Sequence, residues 1–258
     1  MILALVVASG PRLPRAQALL RALELHTPAL GRRLLVADPR PPRTPSGLAA
    51  DELLAADDLP VAGLTRLAFE LEPAALAQAL LPHAIRRCFA LPGCAAVIAL
   101  DADSDLQAPL APLLQALEAG SDAVLLPRDL LGDRSADRAA AERELLRSGI
   151  YDPGCLALRN SPEGLRLLDW WLGAVAGDPE EQALHLEGRW LDLVPAYCDS
   201  ARILRPPGLG VTPANAAARG LRRDGGAWRV GAEGLILARF PAGALATGAV
   251  GAELLARW

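Results

Sequence analysis

Apolar positions in the chain fall into short unbroken runs separated by stretches with helical spacing. Residues 2–8 (ILALVVA) are apolar throughout and stop at Ser9-Gly10-Pro11, the length and flank of a buried strand. Between Pro14 and Leu25, Leu19, Leu20 and Leu23 share one face of a helix. The segment RRLLVADP then reads as a second buried strand ending at Asp38-Pro39, and residues 39–47 (PRPPRTPSG) as a Pro-rich surface loop. This β-α-β opening predicts a parallel sheet covered by helices.

Further along, residues 72–89 have helical spacing, with Pro73 suited to a first turn and Pro82 expected to kink the helix. Residues 95–100 (AAVIAL) form the next strand, 108–120 a helix closed by Gly120, and 122–127 (DAVLLP) another strand. Residues 131–149 are charged and partly helical, the pattern of a flap beside the sheet. The segment GIYDPGCLALRN predicts a strand broken at Pro153-Gly154. A helix follows over 160–175, capped by Asn160 or Ser161, opened by Pro162 and favoured by Glu163, and a second helical stretch spans 179–197. The last sixty residues are rich in Gly and Pro, with a hairpin at Asp224-Gly225-Gly226 and strands at 227–230 and 235–240. The fold class expected is α/β: an open, mixed, mostly parallel sheet flanked by helices, with a C-terminal β-hairpin region. One domain over 1–258 is expected, in two halves at 1–126 and 127–258.

Composition narrows the function. Hydrophobic residues make up 52% of the 258 positions and charged ones 22%, as in a compact globular chain. The net charge of −4 and the lack of a basic stripe argue against nucleic acid. All 26 basic residues are Arg, which excludes a Schiff-base or phosphate-loop lysine. Cys88, Cys94, Cys155 and Cys198 show no metal-site spacing and read as buried free thiols in a cytoplasmic protein. The apolar opening lacks the basic flank and length of a signal peptide, and no run is long enough for a membrane span.

The candidate chemistry lies in AAVIALDADSDL. Asp101 and Asp103 follow a buried strand, at the sheet end where ligands bind in open α/β folds. In extended backbone they point the same way, so both carboxylates can converge on one hard cation, Mn2+ or Mg2+, which would neutralise a diphosphate leaving group. The competing reading is a solvated acidic strand end.

These residues and several later blocks together resemble the bacterial nucleotide-sugar glycosyltransferases of the GT-A fold. VIALDADSDLQAPL is similar to their D-x-D strand, and SGIYDPGCLALRNSPEGLRLLDWW to a GIYNxGFxAL segment with its following helix. EGRWLDLVPAYCD resembles DQRWxDLVPxxFD, and LRRDGGAWRVGAEGLILARFPAG a hairpin ending in HFSG. The resemblance implies a donor-binding sheet, with a nucleotide-binding half at 1–126 and an acceptor-side half at 127–258, a divalent ion, and sugar transfer from a nucleotide-diphosphate sugar to an acceptor that is a glycan, lipid-linked or a small molecule. It implies that Asp103 coordinates the metal and that Asp101 assists it or touches the ribose. Ala8 and Ser9 would line the base and ribose pocket through their backbone.

The departures matter as much. Asp152 stands where the family has Asn, Glu187-Gly188 where it has Asp-Gln, Arg239 where it has the His of HFSG, Leu81 in place of a Lys and Gly210 in place of an Asn, although Asn215 remains nearby. Asp152 and Glu187 are the candidate catalytic carboxylates, whereas Asp169 suits an ion pair. Arg239 can bind diphosphate oxygens bidentately. Tyr151 is read either as core or as a sugar contact. His26, His83 and His185 suit structural positions better than catalytic ones, and Trp170, Trp171 and Trp190 suit packing. Two functions follow: a metal-assisted glycosyltransferase, or a catalytically inactive relative that binds a nucleotide-sugar or a protein partner. A sugar-1-phosphate nucleotidyltransferase fits poorly, because its Gly-rich loop and lysines are missing.

Overall fold

The computed structural model describes residues 1–38, 47–130, 138–176, 188–241 and 248–257. The apolar run at the start forms β1 (Ile2–Ala8), followed by a 3-10 turn at Gly10–Arg12, α1 (Leu13–His26) and β2 (Gly31–Val36). Next come β3 (Glu52–Ala55), α2 (Leu64–Glu70), α3 (Pro73–Phe89), β4 (Ala96–Asp101), β5 (Ser104–Leu106), α4 (Ala111–Glu118) and β6 (Ala123–Pro127). The second half begins with α5 (Arg138–Ser148), β7 (Tyr151–Arg159) and α6 (Pro162–Val175). A 3-10 turn at Arg189–Leu193 leads into the single helical turn α7 (Val194–Tyr197). Short strands follow: β8 (Arg202–Ile203), β9 (Leu209–Val211), β10 (Leu221–Asp224), β11 (Ala227–Val230), β12 (Glu233–Gly234) and β13 (Leu237–Arg239). The helix α8 (Gly248–Arg257) comes last.

The main sheet has the order β3-β2-β1-β4-β7-β6-β8. Strands β3, β2, β1 and β4 run parallel, β7 lies antiparallel between β4 and β6, and β8 is parallel to β6. This is the mixed, mostly parallel α/β sheet expected. Alternation along β1 divides the interior in two. Leu3, Leu5 and Val7 pack towards α3 and α6, while Ala4, Val6 and Ala8 pack towards α1 and α4. With both faces covered, the strands read as continuous apolar runs. A third, smaller core gathers Val211, Leu221, Val230, Phe240 and Leu254 beneath the C-terminal hairpin.

Local signals explain most elements. Ser161 caps α6 by accepting the Gly164 N–H at 3.0 Å, with Pro162 at the first turn. Its hydroxyl also donates to Asp122 at 2.5 Å, and Ser200 donates to the other oxygen of that carboxylate at 2.5 Å. The β10–β11 hairpin turns on Gly225 and Gly226, both at positive φ (56° and 90°).

The helix α3 runs through Pro82 as one element. Two expectations change. Strand β7 is unbroken at Pro153-Gly154; instead, its pairing with β6 shifts register between Leu125 and Pro127. Within 179–197, the described residues 189–197 make a 3-10 turn and a single α turn, not a regular helix. The Pro-rich loop and the first part of the charged flap lie largely outside the described residues. All four cysteines are free and buried, as expected.

Candidate active site

Parallel pairing of β1 with β4 sets Val7 opposite Asp101, so the C-terminal ends of both strands open on the same edge of the sheet. Antiparallel β7 brings its first residues, Tyr151 to Gly154, to that edge. The loop after β1 is tied to the end of β2, because Gly10 N–H donates to Asp38 Oδ2 at 2.5 Å. The turn that follows carries Arg12 and the first turn of α1 carries Arg15, both over the tip of β4.

Beyond Asp101 the backbone folds sharply. Asp101 Oδ1 accepts the Asp103 N–H at 2.9 Å, and the Asp101 carbonyl accepts the Ser104 hydroxyl at 2.7 Å. The turn redirects the chain into β5, which pairs with β13 and places Ser104 opposite Arg239. Asp103 is thereby buried, with 2% of its side chain exposed. One of its oxygens meets Arg12 Nη1 at 3.0 Å, and the other accepts Arg15 Nη1 at 2.7 Å. Arg12 Nη1 also lies 3.8 Å from Asp101 Oδ1. The two carboxylates of the D-x-D therefore converge on a guanidinium.

Arg239 forms the floor of the cluster. Its side chain is 3% exposed, and all its nitrogens face acceptors. Nε donates to Asp152 Oδ2 at 3.0 Å and Nη2 to Asp152 Oδ1 at 3.4 Å. Nη1 donates to Ser104 Oγ at 2.8 Å and to the Asp103 carbonyl at 3.4 Å, while Nη2 stands 4.0 Å from Asp101 Oδ2. This fork-to-fork pairing with a carboxylate is the strong geometry for Arg. Burial alone would discharge the guanidinium, but Asp152 and Asp101 outweigh it and raise its pKa. Burial would likewise raise the Asp152 pKa, but the charge and hydrogen bonds of Arg239, the Gly154 N–H at 2.9 Å and the charge of Arg128 hold it below the usual carboxylate range. Arg239 and Asp152 are therefore a buried pair that stays charged at neutral pH.

The other expected residues are placed as follows. Ala8 and Ser9 are buried; the Ala8 carbonyl accepts the Ala37 N–H and the Ser9 carbonyl the Arg12 N–H, each at 2.9 Å. Tyr151 is buried in the core beside α6, and its carbonyl accepts Arg128 Nε at 3.0 Å. The Asn215 amide ties its loop to the end of β6: Oδ1 accepts the Thr212 N–H at 2.7 Å, and Nδ2 donates to the Arg128 carbonyl at 3.0 Å. Asp169 is ion-paired with Arg86. Trp190 stacks on Trp171 with ring centroids 3.9 Å apart. Glu187 and His185 lie outside the described residues. Gly188 has φ of 78°, and a Cβ there would come within 2.8 Å of the Pro153 ring, which leaves no room for the amide side chain of the family pattern.

Sequence reading missed Arg12 and Arg15. Their signal is the stretch RLPR, which opens a helix immediately after a strand. Basic residues in a first helical turn oppose the helix dipole, and α1 has no acidic residue there to offset them. Such a placement is favourable only beside anions.

As placed, these residues do not fit the expected Mn2+ or Mg2+ at Asp101 and Asp103. Both Asp103 oxygens are already neutralised, and Arg239 Nη2 stands 4.0 Å from Asp101 Oδ2. Among the described residues, no group of three or more His, Cys, Asp or Glu is arranged to hold a metal ion. Like charges about 4 Å apart repel by roughly 4 kcal/mol per unit pair at an effective dielectric of 20, so a dication among these guanidinium groups is strongly disfavoured.

No family model matches the chain, and no curated protein sequence matches it. Solved structures do. The galactosyltransferase LgtC, in complex with donor and acceptor sugar analogs, aligns over 95% of this chain and 88% of its own, with a TM-score of 0.51 and 13% identity. A glycosyltransferase involved in glycosylation of the major capsid of PBCV-1 aligns over 92% of both chains, with a TM-score of 0.51 and 9% identity. The glycosyltransferase GlyE of Streptococcus pneumoniae TIGR4 covers 99% of this chain, which spans 59% of GlyE, with a TM-score of 0.54 and 12% identity. The chain has the GT-A glycosyltransferase fold. Among its described residues no helix is long and apolar enough to cross a membrane.

Proposed function

We propose that this protein is a glycosyltransferase that moves a sugar from a nucleotide-diphosphate donor to an acceptor. The observation that carries this reading is the gathering of Arg12, Arg15 and Arg239 at the joined tips of β1 and β4. That edge is where open α/β sheets take nucleotides, and guanidinium groups there can donate to diphosphate oxygens. The LgtC structure, with donor and acceptor sugar analogs, supports the same assignment for the fold.

In the transfer step, the bond between the anomeric carbon and the diphosphate oxygen breaks and its electron pair stays on that oxygen. The acceptor oxygen bonds to the carbon, and its proton passes to a base. Guanidinium groups at this edge stabilise the charge developing on the leaving diphosphate. Asp152, ionised and locked to Arg239, suits electrostatic support of the electron-poor anomeric carbon better than proton removal. Glu187 is the remaining carboxylate for that task.

Gly188, which has no room for an amide side chain beside Pro153, and Arg239 in place of a histidine favour a second reading, a nucleotide-sugar-binding protein without turnover. A melting-temperature panel with UDP, GDP, ADP, CDP and dTDP, followed by chromatography of the matching nucleotide-sugar, separates the two. Transfer activity predicts protection by one base and release of its diphosphate. Protection without release supports the second reading, and no protection by any of them contradicts both.

A further inference from the structure

Resting on that donor-site reading, we infer that the guanidinium groups of Arg12, Arg15 and Arg239 replace the divalent ion, so that the donor diphosphate is bound and its leaving charge neutralised without metal. The groups divide into a fixed charge and two movable ones. Arg239 is buried, with every nitrogen facing an acceptor, and Gly154 leaves the space that its guanidinium fills. Arg12 and Arg15 have 23% and 47% of their side chains exposed, against 2% for the Asp103 they hold. They can exchange one Asp103 oxygen for a phosphate oxygen while the carboxylate keeps them aimed.

The charge count agrees. Three guanidinium groups face Asp101, Asp103 and Asp152, so the cluster is neutral without an ion, as a dication between two carboxylates would be. An added dication would have to displace Arg12 and Arg15 from Asp103 and then sit among three positive groups. When the anomeric bond breaks, the electron pair on the departing oxygen meets these side chains, and no co-reactant is required.

The test is calorimetric titration of the full chain with UDP, GDP, ADP, CDP and dTDP, in excess EDTA and again in manganese or magnesium. The nucleotide that binds is expected to bind in EDTA, with affinity in either metal within about twofold. Arg12→Gln/Arg15→Gln should weaken it by about tenfold or more, and Arg15→Lys, which keeps the charge, should lose less than Arg15→Gln. Both positions are partly exposed, and circular dichroism melts confirm folding; if the double variant fails to fold, Arg15→Gln alone carries the comparison. Binding that needs metal overturns the inference and leaves the transferase reading intact. Binding unchanged in the Gln variants also overturns it, and no binding under any condition overturns both.

Discussion

The guanidinium of Arg239 lies where the side chain of residue 154 would be: a Cβ built on Gly154 overlaps its Nη2 and central carbon. Gly154 opens the β7 strand just long enough for β13 to insert a charge against Asp152. The ion pair and the glycine are one construction, and the glycine has a packing reason to be there.

Gly154→Ala should therefore expel Arg239 from Asp152. Removing a partner from a buried pair costs about 3–5 kcal/mol. Urea unfolding of Gly154→Ala is expected to show a loss of that order. Gly173→Ala, at an exposed position of α6 with nothing within 4 Å of its Cβ, should gain roughly 0.5–1 kcal/mol. Equal effects at the two sites would contradict the packing account.

Gly188 and Pro153 are coupled in the same way. Alanine at 188 must adopt a left-handed φ of 78° and meet the proline ring. The backbone part costs roughly 1–2 kcal/mol. Pro153→Gly, which removes both ring atoms within 3 Å, should recover the steric part only, so a double-mutant cycle should give a coupling of at least about 0.5 kcal/mol. Strict additivity would show that the two do not touch.

The α6 cap is a sharper local test. Ser161 accepts the Gly164 N–H and donates to Asp122, which Ser200 also holds. Ser161→Ala should cost about 1–2 kcal/mol in denaturant melts, and Ser161→Asp should restore little, because its charge would face Asp122.

Much of this frame was legible in the chain. β1, β4 and β7 are covered on both faces, so they appear as unbroken apolar runs, and Ser161-Pro162 announces its helix. β3 and α2 escaped notice: β3 has one buried residue and α2 only Leu67, too little periodic contrast to stand out. β13 falls inside the strand expected at 235–240, but β5 and β9, three residues each, exist through pairing with it, which no local pattern encodes. For the site, the spacing of Asp101 and Asp103 suggests an extended strand with both carboxylates on one side, but the backbone turns after Asp101 and the two carboxylates face Arg12. What they face depends on Arg12 and Arg15, nearly ninety residues earlier, and on Arg239, far later. Strand periodicity carries no information on such partners.

Alkaline pH should expose the buried thiols. Burial and the neighbouring Cys94 push Cys88 up to about 12, from 9.0 for a solvated thiol. The folded state keeps that proton while the unfolded chain loses it, so stability is complete below pH 9 and declines as pH rises towards 12. Cys88→Ala should flatten that decline in melts taken across the range, at the cost of a small cavity. An equally steep decline in the variant would assign it to other groups.

The most direct measurement is release of nucleoside diphosphate from the nucleotide-sugar whose base protects the chain against melting, followed by chromatography in excess EDTA. The account predicts release without metal, reduced about a hundredfold in Arg12→Gln/Arg15→Gln, the scale on which lost transition-state donors act. Release that appears only on adding manganese or magnesium, or that is unchanged in the variant, would contradict it.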